Sequence, residues 1–211
     1  MHIDTDSGNR LCAAVQRSVT NWASHHAVLQ SGGLEVKWRG RIASALERWL
    51  KREKDTSLVV PEYRRRGNLI DFALVTPESV AEPRLKVTTL IEVKANYATQ
   101  SKGRQNKRSV GEIGRRVRNG IRQARGYRKK ANAESAYVLY IVVDPHCKRR
   151  PDTPRDHGYS YYRQTHAQRD TSSPDAMSKA KDAIARAARK RRSRIVGRAD
   201  SRSFHVSLLR T

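Results

Sequence analysis

The apolar residues of this chain recur with two different periods. Leu34, Trp38, Ile42, Leu46, Trp49 and Leu50 are spaced by threes and fours, which predicts an amphipathic helix with both tryptophans in the core. Residues 7–26 predict a helix before it, capped by Asp6 or Ser7. Val110, Ile113, Val117, Ile121, Ala124 and Tyr127 make a third stripe. Ala180, Ile184, Ala187 and Ala188 make a fourth, narrower one within residues 177–194. Between the second and third stripes the pattern becomes that of strands. Residues 57–63 open a sheet with Leu58-Val59-Val60. Two apolar runs at residues 68–75 and 88–94 follow as a hairpin, across a turn at residues 76–86 that holds Pro77 and Pro83. Residues 136–143 are apolar almost without a break, as the middle strand of a mixed sheet covered on both faces would be. Phe204, Val206 and Leu208 alternate and predict a short closing strand. The order gives an α/β fold with a mixed central sheet flanked by helices.

The two hairpin runs carry charges that buried strands normally exclude. Asp71 interrupts the first, and Glu92 and Lys94 interrupt the second. A lone buried carboxylate costs on the order of several kcal/mol unless it is paired or binds a metal. Side chains alternate along a strand, so Glu92 and Lys94 share a face. Antiparallel pairing would bring Asp71 beside Glu92. Two carboxylates suit Mg²⁺, or Mn²⁺ in its place, with water completing the shell. Such a metal lowers the pKa of bound water and neutralises phosphate charge. Lys94 beside it would orient the water or stabilise developing negative charge.

These residues resemble the PD-(D/E)xK nuclease superfamily, which includes restriction endonucleases, RecB-type nucleases and Holliday junction resolvases. The resemblance lies in Asp71, followed by Glu92-Val93-Lys94 at the end of an apolar strand. Downstream, Gln123-Ala124-Arg125-Gly126-Tyr127 matches the QxxxY element of RecB-type nucleases and of type I restriction subunits. Gln123 and Tyr127 are four apart and share a helical face. Ile70 stands where the motif name has its proline. The likeness covers residues 46–144. It implies a restriction-endonuclease-like core, with Asp71 and Glu92 as metal ligands and Lys94 as a catalytic residue. Gln123 and Tyr127 would place substrate and active-site groups. Glu62 precedes Asp71 much as a glutamate does in type I subunits, and Glu47 could match a helical acid of other members; either would complete the metal shell. The implied activity is hydrolysis of DNA phosphodiesters by a restriction or phage-defence endonuclease, as a homodimer that cuts both strands. Two alternatives stay open: an inactive nucleic-acid-binding module of the same fold, and a structural RNA-binding protein in which Glu92 and Lys94 form a surface ion pair. Glu35-Val36-Lys37 repeats the tripeptide but opens the second helical stripe, and reads as a solvated helix start.

Charge points to a polyanion. The 211 residues carry 44 Lys and Arg against 20 Asp and Glu, a net charge of +24, so DNA is the expected partner, with RNA as the alternative. Residues 101–130 hold twelve of these cations and one acid, Glu112. Arg115, Arg116, Arg118, Arg122 and Arg125 coat the faces that the apolar stripe leaves, where they would bind phosphates without reading sequence. Residues 145–174 have no period; Tyr159, Tyr161 and Tyr162 among arginines there would either hold a strand by stacking or belong to a flexible basic loop. The chain thus divides into a nuclease core with N-terminal helices (1–145) and a basic C-terminal extension of loop, helix and closing strand (146–211). No run spans a bilayer and no signal peptide opens the chain, which leaves a cytoplasmic protein without a membrane partner. Cys12 and Cys147 are too few for a disulfide framework or a zinc cluster; Cys12 is expected to pack. Neither His25-His26 nor His146-Cys147 reads as a metal site, and no Ser-His-Asp arrangement, P-loop or Rossmann glycine pattern is visible.

Overall fold

A computed structural model describes residues 3–23, 34–65, 67–77, 85–97, 110–143, 174–201 and 204–211. Helices α1 (Thr5–Ala23) and α2 (Leu34–Arg52) come first. Strands β1 (Leu58–Arg65), β2 (Asn68–Pro77) and β3 (Leu85–Tyr97) then form an antiparallel meander. Helix α3 (Val110–Ala131) carries the chain across the sheet, so β4 (Ser135–Val143) lies parallel to β3. After helix α4 (Pro174–Lys190), β5 (Arg194–Asp200) and β6 (Phe204–Arg210) form a hairpin whose second strand pairs with β4. The result is one mixed sheet in the order β1-β2-β3-β4-β6-β5.

Strand alternation builds two cores. On one face Phe72, Leu74, Ile91, Val93, Tyr137, Leu139, Val206 and Leu208 meet the α1 and α2 stripes, including Leu11, Val15, Trp38, Ile42, Leu46 and Trp49. On the other, Ala73, Val75, Leu90, Val138, Tyr140 and Leu209 meet Ile113, Val117 and Ile121 of α3 and Ala180 and Ile184 of α4. Every residue of β4 is buried, which is why its sequence shows no polar alternation. Trp38 and Trp49 are core residues, as their spacing predicts. Cys12 is buried, and burial pushes its thiol up to about 12. No described helix is long and apolar enough to cross a membrane.

Several local expectations change. The α1 cap is Asp4, whose Oδ1 accepts the Ser7 N–H at 2.8 Å, because the helix begins at Thr5. Thr76 pairs with Lys86 and Pro77 with Leu85, so both strands run into the segment read as a turn; proline is tolerated at this terminal pair. Helix α4 stops at Lys190, four residues before the expected end. There Ser193 N–H reaches back to the Ala188 carbonyl and Arg192 takes a left-handed φ of 49°. Strand β5 has no alternating signature, because a bulge falls between Ile195 and Gly197. Gly197 meets Gly8 of α1 backbone to backbone: a Cβ on Gly8 would lie 2.1 Å from the Val196 carbonyl oxygen. Since β6 lies against β4, residues 194–211 complete the sheet that the sequence reading set apart from them. His25-His26, His146-Cys147 and the tyrosines at 159, 161 and 162 lie outside the described residues.

Candidate active site

The hairpin of β2 and β3 opens into a fork. Pairing runs from Pro77 and Leu85 to Phe72 and Ile91. Asp71 is the next residue on one strand and Glu92 the next on the other. Here Asp71 Oδ2 accepts the Val93 N–H at 2.8 Å. A carboxylate thus takes the place of the ladder acceptor that the parting strand no longer offers. Glu92 alternates with Leu90 and so lies on the α3–α4 side of the sheet, whereas alternation breaks at Asp71, since Ile70 and Ala73 on either side of it both join the core of that side and Arg39 of α2 reaches it.

Lys94 lies on that same side. Its Nζ is 2.6 Å from Glu92 Oε1, with the side chains only 17% and 7% exposed. A carboxylate so enclosed needs this partner. Gly120 of α3 makes room for it: a Cβ there would lie 3.2 Å from Lys94 Cγ. Tyr127, half-buried on α3, lies close enough to feel the same charges. Burial raises its phenol pKa, Glu92 and Asp71 push it further up, and Lys94 opposes them. The hydroxyl therefore stays protonated as a donor. Gln123 is half-buried one turn earlier on α3.

The other two acids differ: Glu62 lies across from Asp71 in the β1–β2 register, and Glu47 stands apart. Glu62 of β1 is exposed and bound to Arg39 of α2, whose Nη2 also lies 3.7 Å from Asp71 Oδ1. Glu62 has a left-handed φ of 51°, at a point where pairing of β1 with β2 skips from Pro61–Phe72 to Tyr63–Ile70. That backbone costs a non-glycine residue about 1–2 kcal/mol. Glu47 is exposed on α2, which covers the opposite face of the sheet. Among the described residues no group of three His, Cys, Asp or Glu could hold a metal ion. Asp71 and Glu92 are still a donor set of the kind Mg²⁺ uses, with water and substrate oxygens supplying the rest.

Two neighbours escaped the sequence reading. Asn96 follows Glu92 and Lys94 on the same strand face, so alternation alone could have found it. Its Oδ1 accepts the Tyr140 hydroxyl, while its buried Nδ2 has no partner. Arg39 carried no such signal, being one arginine among many on a helix.

The five α3 arginines expected to bind phosphate play different parts. Arg116 donates to the Ala95 carbonyl at 2.6 Å and Arg125 to the Arg191 carbonyl at 2.7 Å, so both secure the fold itself. Arg125 thereby satisfies the C-terminal end of α4. Arg115 pairs with Glu112, and Arg122 reaches Asn119. Arg118 lines a cleft of about 300 Å³ between α3 and α4 with Gly111, Gly114, Ala183, Arg186, Ala187 and Lys190. Among the described residues three cations and no acid line it, a setting for phosphate.

A Ser-His-Asp arrangement, not expected from the sequence, exists. His205 Nε2 is 2.6 Å from Ser207 Oγ and Nδ1 is 2.8 Å from Asp200 Oδ1, which also takes Lys181 Nζ at 2.6 Å. Hairpin register sets Asp200 opposite His205, and alternation puts Ser207 on the same face. Ser207 is fully buried, so no substrate reaches its oxygen and the trio is structural. Burial lowers the His205 pKa, against the pull of Asp200. Burial also works to raise Asp200, but Lys181 and His205 outweigh it and hold that carboxyl low.

Compared with family models, curated proteins and solved structures, the chain finds no match.

Proposed function

We propose that this protein is a metal-dependent nuclease that hydrolyses DNA phosphodiester bonds, with a restriction-endonuclease-like core. The observation that carries the reading is the convergence of Asp71, Glu92, Lys94 and Tyr127 at one fork, beside the basic helix α3. Asp71 and Glu92 would hold Mg²⁺ or Mn²⁺, which when bound supplies a low-pKa water and neutralises phosphate charge. Water attacks phosphorus and the bond to the leaving oxygen breaks. The Lys94 ammonium, anchored on Glu92, has further N–H groups to hold that water or a phosphate oxygen. Tyr127 donates its hydroxyl toward the phosphate, and Gln123 flanks it. The cleft of Arg118, Arg186 and Lys190 holds the backbone away from the fork. The biological role that suits this set is restriction or phage defence in the cytoplasm, with a homodimer cutting both strands.

The test is incubation of the purified protein with supercoiled plasmid, linear duplex or RNA, each with Mg²⁺, Mn²⁺ or EDTA. Nicking or linearisation of DNA with either metal and none with EDTA is expected. Binding without cleavage of any substrate would assign an inactive binding module. Cleavage in EDTA would remove the metal from the reaction.

A further inference from the structure

We propose that Arg39 and Glu62 form a cation gate on the Asp71 side of the metal pair, with Glu62 acting as the anchor that draws Arg39 away rather than as a metal ligand. The inference rests on the proposed reading of Asp71 and Glu92 as that pair. One Asp71 oxygen is committed to the Val93 N–H at 2.8 Å. The other faces Arg39 Nη2 at 3.7 Å, an ion-pair contact rather than a hydrogen bond. Arg39 Nη1 meanwhile donates to Glu62 Oε1 in the closer contact. The guanidinium is thus shared between two carboxylates and leans towards Glu62.

A divalent cation and a guanidinium cannot both sit on the outward Asp71 oxygen without strong repulsion. Loading the site therefore requires Arg39 to give up Asp71, and Glu62 is where its charge can go. Two further observations suit a movable head group. Arg39 Nε is buried with no hydrogen-bond partner, so the resting position does not satisfy all its donors. Glu62 holds its side chain on a left-handed backbone, a strained place for glutamate and one where the ladder to β2 is interrupted. Without a metal, the gate neutralises Asp71 beside buried Glu92. With one, the positive charge shifts onto an exposed glutamate. Glu62, 54% exposed, can receive it while remaining solvated.

The experiment is a Mn²⁺ titration of the full chain without nucleic acid, read by the paramagnetic resonance of free Mn²⁺. Arg39→Gln should bind Mn²⁺ about tenfold tighter, and Glu62→Gln about tenfold more weakly because Arg39 then rests wholly on Asp71. The double variant Arg39→Gln/Glu62→Gln should return to within about twofold of wild type. Were Glu62 a ligand, the double variant would stay weak. Arg39→Lys keeps the charge and should bind like wild type, which separates charge from helix packing; this variant and Arg39→Gln decide the matter if Glu62→Gln does not fold. Unchanged affinity in Arg39→Gln, or no recovery in the double variant, overturns the gate and leaves the metal pair standing. Mn²⁺ binding by Arg39→Gln but not by wild type supports a gate that is closed at rest. No Mn²⁺ binding by either protein removes both the gate and the pair.

Discussion

The fork of β2 and β3 and the hairpin of β5 and β6 present similar side chains to the same face of one sheet. Each sets an acid against a lysine: Glu92 with Lys94, and Asp200 with Lys181. They differ in whether the ladder around them is closed. At the hairpin the strands pair through Asp200 and His205, and both ring nitrogens of His205 are engaged. At the fork the pairing ends at Phe72 and Ile91, and an aspartate side chain accepts the Val93 N–H. Nearby, Arg39 Nε and Asn96 Nδ2 are buried without partners. A serine, histidine and aspartate in line are thus a structural clasp when the serine is enclosed. Two acids and a lysine at an open fork retain the capacity to bind something further.

The sharpest way to break this comparison is catalytic. Asp71→Ala should lower DNA cleavage on the order of a thousandfold, with binding unchanged or tighter because a negative charge near phosphate is lost. Ser207→Ala should leave cleavage within about twofold, since it touches only the clasp. Single-turnover cleavage and a binding assay in Ca²⁺ read both. Equal losses in the two variants would erase the distinction between fork and clasp.

A second contrast concerns stability. Lys94→Ala removes the 2.6 Å ion-pair partner of the buried Glu92 carboxylate and should cost about 3–5 kcal/mol, a fall in Tm on the order of 10 °C. Glu92→Gln/Lys94→Met, which removes both charges, should recover most of that loss. At the clasp Lys181 is 38% exposed, so Lys181→Ala should cost less than about 1 kcal/mol. Thermal melts followed by circular dichroism measure all three. A Lys94→Ala loss no larger than that of Lys181→Ala would mean that water reaches Glu92 freely.

The smallest expected effect is on pH dependence. Burial lowers the folded pKa of His205 below its ordinary 6.5, with Lys181 and Arg198 adding to the effect and Asp200 opposing it. The unfolded ring therefore takes up its proton first as pH falls. Its contribution is whole above about pH 6.5 and is lost as pH drops towards the folded value. The urea midpoint of wild type should fall between about pH 7 and pH 5 more steeply than that of His205→Gln. Parallel curves would show that the clasp accepts a charged ring.

Much of the scaffold was legible from local patterns. The spacing of Trp38, Ile42, Leu46 and Trp49 predicted a buried helix face, and the apolar run of β4 predicted a strand covered on both sides. The candidate site was legible for a related reason. Period-two alternation puts Glu92 and Lys94 on one face, and the hairpin turn sets Asp71 opposite Glu92. Glu62 and Glu47 were also singled out, but their placement could not be read from letters. One stands on an interrupted edge strand beside Arg39, the other on the helix of the opposite face.

The sequence by itself determined the elements, the faces they bury and the acids that interrupt them, because these depend on periods of a few residues and on the cost of burying charge. Only the tertiary structure decided where the ladder opens, that Arg39 reaches Asp71, that Arg125 serves the end of α4, and that Gly8 packs on Gly197. It also decided that Ser207 is sealed while Asp71 at the fork keeps a fifth of its side chain exposed. Those facts depend on strand register and on contacts between residues far apart in the chain, where no local periodicity carries information.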